Sequence, residues 1–171
     1  PYSVALRGRN NDCTQSSTKT NNRITRRMSK IKVSIGNDHA GTELKNRIVK
    51  EYSAQFYFTN HGTDGSESVD YPDYVHPVAY DVEQEVSAFG ILICGSANGV
   101  RMTANKHQGI RAGLAWNKEV ATLIKQHNNA NIIGIPARFL SEDEALEVLQ
   151  TYIGQEFEGG RHQLRVDKIP C

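Results

Sequence analysis

The chain has 171 residues, 38% of them hydrophobic, long enough for one domain with a real core. No apolar run approaches the roughly 18 residues of a membrane span, so a membrane is not among the expected partners. Seven Lys/Arg and one Asp fall in residues 1–30, whereas residues 31–171 hold thirteen basic and eighteen acidic residues; a mildly acidic folding part argues against nucleic acid as the main partner.

Residues 1–29 are polar, basic and aperiodic. They read as a disordered leader, either translated from an upstream region or belonging to an expression leader, with an Arg/Ser/Thr-rich transit peptide as the alternative. The domain is expected in residues 30–171. There, strands and helices alternate: strand 31–37, helix 42–52, strand 54–59, helix 72–86 with Val86 on its apolar face and Pro77 in its first turn, and strand 89–94. A helix through Lys106 follows, then strand 109–116, helix 118–128, strand 130–136 and helix 141–153, which opens with the capping box Ser141/Glu144. A charged tail, residues 159–169, closes the chain. Near-continuous apolar strands separated by helices predict an α/β fold, a Rossmann-like three-layer α/β/α sandwich with a five-stranded parallel sheet.

Sites on such a fold gather at the carboxyl ends of the strands. Strand 31–37 ends in "NDHAG", which places Asp38 and His39 at a strand-to-helix turn. Asp38 also suits a helix cap. Strand 89–94 ends in "CGSANG", and Cys94 stands where successive amides and a helix start could hold an anion and favour the thiolate. The loop lacks the Lys of a P-loop and the spacing of GxGxxG. Val120, Leu123 and Ile124 share a helix face with His127, which suits a core histidine as well as a catalytic one. Arg161 and Arg165, one helical turn apart, form either a solvated face or a phosphate fork. Cys13, Cys94 and Cys171 make no disulfide framework, so a reducing cytoplasm is the expected location. Without CxxC or HExxH, and with six scattered histidines, no metal site is expected.

The segments "DHAG", "DYPDY", "ICGSANGVRMTANK", "GIRAGLAW", "HNNANIIGI" and "FEGGRHQLRV" together resemble the type B ribose-5-phosphate isomerases, a family that includes allose- and galactose-6-phosphate isomerases. The resemblance spans residues 31–169. It implies an aldose–ketose isomerase interconverting ribose 5-phosphate and ribulose 5-phosphate through an enediolate, without cofactor. It makes Cys94 the base and gives the enediolate oxygens to Ser96, Asn98 and the amides of Gly95 to Gly99. Asp38 and Tyr71 meet sugar hydroxyls, while His127 and Asn128 serve ring opening and orientation. His39, Arg138, Arg161 and Arg165 surround the phosphate. It further implies a homodimer with shared sites, His127 and the arginines crossing from the partner subunit, and leaves a tetramer open. Two departures are Ala97, where many members have Gly, and Val100, where some members carry a glutamate base. The competing readings are a six-carbon aldose 6-phosphate isomerase and a non-catalytic sugar-phosphate-binding module.

Overall fold

The computed structural model describes residues 30–170, so the expected leader, with Cys13, and the terminal Cys171 lie outside the described residues. Five strands, β1 (Ile31–Asn37), β2 (Phe56–Asn60), β3 (Phe89–Cys94), β4 (Ala112–Leu114) and β5 (Ile132–Pro136), form one parallel sheet in the order β2-β1-β3-β5-β4. Around it stand α1 (Thr42–Tyr52), α2 (Pro72–Glu83), α3 (Asn98–Ala104), α4 (Lys118–Gln126) and α5 (Glu142–Ile153), with a short α6 (Arg161–Val166) after them. This is the expected α/β/α sandwich. Among the described residues, no helix is long and apolar enough to cross a membrane.

Strand alternation sorts the core into two layers. Val33, Ile35, Ile91, Ile93, Ile133 and Ile135 join the cluster with α1, α4 and α5 residues; Leu92, Cys94 and Ile132 join the one with α2 and α3 residues. On the second face β1 and β3 carry Ser34, Gly36 and Gly90. A Cβ at Gly36 would stand 2.7 Å from the Tyr74 carbonyl oxygen, and one at Gly90 would stand 2.9 Å from Val78 Cγ1. Small residues therefore let α2 lie close against the sheet.

Several boundaries differ from the sequence reading. Helix α2 stops at Glu83 rather than at residue 86: Glu85 takes a left-handed φ of 56°, and the amides of Val86 and Ser87 both turn back to donate to Asp81 O. Val86 is consequently exposed instead of lying on the apolar helix face. Pro72 occupies the helix start, which puts Pro77 inside the helix rather than in its first turn. The second strand begins two residues late, because Gln55 N closes a turn onto Tyr52 O. The fourth strand shrinks to three residues, since Ile110 N bonds back to His107 O and Arg111 N takes the Asn131 side chain. Helix α3 ends at Ala104 instead of Lys106, and α4 ends at Gln126, with His127 as its C-cap. The charged tail is largely α6, with His162 and Val166 buried beneath it.

Candidate active site

The sheet order leaves β1 and β3 side by side while their connections leave in opposite directions, a topological switch point where open α/β sheets bind ligands. Asn37 registers against Ile93, and Asp38 N donates to Ile93 O at 3.2 Å. Cys94 in turn registers against Pro136; Ala137 N then bonds Cys94 O at 3.0 Å and Arg138 N bonds Gly95 O at 3.1 Å. Three strand ends thus deliver their side chains to one place. A cleft of about 330 Å³ is lined by Asp38, His39, Cys94, Gly95, Ser96, Arg138 and Phe139. Phe139, 71% exposed, was not singled out from sequence; its position directly after Arg138 at the β5 end was the available signal.

Asp38 forms the suggested cap and also lines the cleft. Its carboxylate accepts from Ala40 N at 2.9 Å, capping a 3-10 turn over His39–Gly41, and it is buried at the cleft. Cys94 is buried as well. Here the sequence expectation is corrected. Burial pushes the thiol above its usual range, and the hydrogen-bonding, charged Asp38 carboxylate pushes it further, whereas the amides of Ala97 and Ser96 pull it down only in part. The free site therefore favours the protonated thiol rather than the thiolate.

The Gly95–Gly99 loop is tightly shaped. Ala97 adopts φ 56° and ψ 5°, a left-handed conformation uncommon without glycine, and its methyl is fully buried. A Cβ at Gly95 would stand 3.1 Å from Arg138 Nε, and one at Gly99 would stand 2.6 Å from the Tyr71 ring. Those glycines give the guanidinium and the phenol their places. Asn98 N donates to Ser96 Oγ at 3.4 Å. Val100 is buried in the α2/α3 layer, in the same cluster as Cys94.

The remaining expected residues stand apart from this cleft. Asn128 lines a separate cavity of about 630 Å³ beside β4, with Arg101, Arg111 and Trp116. His127, Arg161 and Arg165 lie at the end of α4 and on α6, and the buried His162 joins them. The His127 and His162 rings stack with centroids 4.1 Å apart and planes 7° from parallel. Their Nε2 atoms lie 3.8 and 3.6 Å from the same Glu158 oxygen. Three ligand atoms so close invite comparison with a metal centre. Parallel rings, however, cannot aim their in-plane lone pairs at one ion, and Arg161 Nε donates to His162 Nε2 at 3.4 Å. Desolvation, then His127 and Arg161, hold His162 below its ordinary range, toward the neutral ring. Among the described residues, neither Arg161 nor Arg165 has an acidic partner within salt-bridge distance. The corner suits an anion better than a cation.

The model of the ribose/galactose isomerase family matches residues 33–169. Ribose-5-phosphate isomerase B of Escherichia coli K12 is 37% identical over 139 residues, covering 81% of this chain and 93% of that protein. The crystal structure of a ribose 5-phosphate isomerase from Thermotoga maritima superposes with a TM-score of 0.80 at 38% identity, covering 83% of this chain and 99% of that one. Ribose-5-phosphate isomerase B from Mycoplasma genitalium, with ribulose-5-phosphate bound, superposes with a TM-score of 0.78 at 37% identity, over 81% of this chain and 93% of that one.

Proposed function

The chain belongs to the ribose/galactose isomerase family, and from that premise we infer that it interconverts ribose 5-phosphate and ribulose 5-phosphate. The observation that carries the reading is the convergence of Cys94, Asp38, Gly95 and Ser96 on one small cleft at the switch point, with the amides of Ser96 and Ala97 turned to the thiol. A proton beside a hydroxyl is removed efficiently only where a base touches the carbon and donors face the developing oxyanion.

Asp38 stands beside Cys94 and meets a sugar hydroxyl. Cys94, in its thiolate form, is the base. The thiolate takes the C2 proton of the open-chain aldose. The electron pair moves into the C1–C2 bond and onto O1, where loop amides and Ser96 stabilise it. The hydroxyl proton passes from O2 to O1, Cys94 returns its proton to C1, and the carbonyl is left at C2. Asp38 and Tyr71 hold sugar hydroxyls, Asn98 joins Ser96 at the enediolate oxygens, and His39 and Arg138 face the phosphate end.

His127, Asn128, Arg161 and Arg165 do not line this cleft, which supports a homodimer in which they complete the partner's site; His127 opens the ring and the arginines grip the phosphate. A cytoplasmic location fits a phosphorylated substrate and a free Cys94. The test is an assay of purified protein on ribose 5-phosphate and allose 6-phosphate side by side, with EDTA in parallel. Fast turnover of ribose 5-phosphate, unchanged by EDTA, is expected. Preference for the six-carbon sugar would move the substrate, and binding without turnover would make the protein a sugar-phosphate receptor.

A further inference from the structure

Lys45 is 1% exposed, and an ammonium is almost never buried so completely unless something specific requires it. It sits on the second turn of α1, just after the Asp38 turn, and donates to Thr63 O at 2.7 Å and to the Asp64 carboxylate. Both acceptors belong to the segment between β2 and α2. The same segment is tied to the same turn from other directions. Asn37 Nδ2 faces Asp38 O at 2.8 Å, Thr42 Oγ1 at 3.1 Å and Thr63 O at 3.1 Å. Thr63 N donates to Asn37 O at 3.2 Å, and Thr42 Oγ1 donates to Gly65 O at 3.0 Å. A Cβ at Gly62 would stand 1.8 Å from Asn37 Oδ1, so the close approach requires glycine there.

Residues 64–68 are exposed beyond this knot, and the segment next meets the site at Tyr71, whose ring lies against Gly99. The strap is therefore fixed at residues 61–65 and again at Tyr71, and its span runs between Asp38 and the Gly95–Gly99 loop. The strap does not itself line the cleft; it bears on it through the Asp38 turn at one end and through Tyr71, against Gly99, at the other.

We propose that Lys45 is a positioning residue that sets the sugar-side wall of the site by clamping segment 61–65 to the Asp38 turn, and so determines which sugar length the enzyme accepts. The proposal rests on the reading of Asp38 and Tyr71 as contacts to sugar hydroxyls. Its logic is steric: a wall fixed close fits the five-carbon chain, and a wall released makes room for a sixth carbon at the expense of alignment. Lys45 touches no reacting atom and acts through the strap.

The experiment compares wild type with Lys45→Met, which keeps the buried stem and removes the ammonium, and with Asp64→Asn, whose carboxylate is 75% exposed and carries little folding risk. Amide hydrogen exchange over residues 61–70 and kcat/KM for ribose 5-phosphate and allose 6-phosphate are measured on each. In Lys45→Met, segment 61–70 should exchange faster while β1 and β3 keep their protection. The ribose 5-phosphate to allose 6-phosphate ratio should fall by about tenfold, with the loss for ribose mostly in kcat, as expected for a reactant held slightly out of line. Asp64→Asn should shift both readouts in the same direction by less. Faster exchange with an unchanged ratio, or an unchanged exchange pattern in folded Lys45→Met or Asp64→Asn, overturns the proposal. The exchange arm needs no turnover, so a wrong substrate assignment would appear as a missing activity in wild type and not as a failed clamp.

Discussion

The Cys94 cleft and the His127–Arg165 corner are the two chemically loaded regions of the chain, and they are built in opposite ways. The cleft stands on strand ends, with Asp38 and Cys94 buried and backbone bonds from Ile93, Cys94 and Gly95 fixing the turns around them. The corner stands on helix ends, with exposed arginines and an imidazole pair around an exposed glutamate. Moving a proton off carbon requires atoms fixed to a fraction of an ångström, which a sheet supplies. Gripping a dianion requires charge and reach, which flexible side chains on a short helix supply.

If that division of labour holds, the largest effect belongs to the cleft. Cys94→Ser should fold and lose roughly 100- to 10,000-fold in kcat, because a serine hydroxyl cannot ionise near neutral pH. Substantial turnover would shift the base to Asp38.

The next test breaks the comparison across two chains. Cys94→Ala and His127→Ala homodimers should each be nearly inactive. Refolded together in equal amounts they should recover about a quarter of wild-type sites, since a mixed C2 dimer gathers both lesions into one site. Mixed dimers that form without recovery would place cleft and corner in one subunit's own site.

Arg161→Ala and Arg165→Ala should each weaken ribose 5-phosphate by about tenfold or more, the scale of a lost charge-assisted hydrogen bond, and weaken free ribose much less. Equal losses on both sugars would make the arginines part of the subunit contact instead.

The thiol itself reports the electrostatics of the cleft. Burial and the Asp38 carboxylate both raise its pKa; Asp38→Asn removes the negative neighbour, so the midpoint must move down and more thiolate must be present at any given pH below it. Iodoacetamide should therefore alkylate Cys94 faster in Asp38→Asn than in wild type at pH 8. Slower alkylation would reverse the assigned sign.

Ala97→Gly should do least. It relieves a left-handed alanine, but loosens the unfolded chain and removes a buried methyl, and these cancel to within about 1 kcal/mol. A thermal melt shifted by more than a few degrees would show that the loop stores more strain than its φ implies.

The sequence shows the cleft more plainly than the corner. Strands β1 and β3 announce themselves as apolar runs ended by Asn37 and Cys94, so both the fold and the residues at its strand ends are legible. "GIRAGLAW" reads as a long strand because it is apolar, yet Gly109 and Ile110 are spent on a turn that only the partners His107 and Asn131 explain. The direction of the Cys94 shift is illegible for a similar reason. Local amides can be counted along the loop, but the opposing carboxylate arrives through the β1–β3 register, 56 positions back in the chain. His162 is hidden as well, a single polar residue whose burial follows from how α6 meets the end of α4.

The shortness of β4 has a consequence for behaviour in concentrated solution. Every open sheet ends in a row of unpaired backbone groups that another chain can extend, the first step of edge-to-edge aggregation. At this edge only Ala112–Leu114 keep strand geometry. An incoming strand would find less than a three-residue ladder, since the amide and carbonyl of Ala112 are both bonded to the Asn105 side chain; Arg111 on one side is bonded to Asn129 O and to the Asn131 side chain, and on the other the Ala115 amide is bonded to Gly134 O. So short a template offers too few hydrogen bonds to offset the ordering of a second chain. The edge is blunted by its own brevity and by the Asn105 side chain at the end of α3.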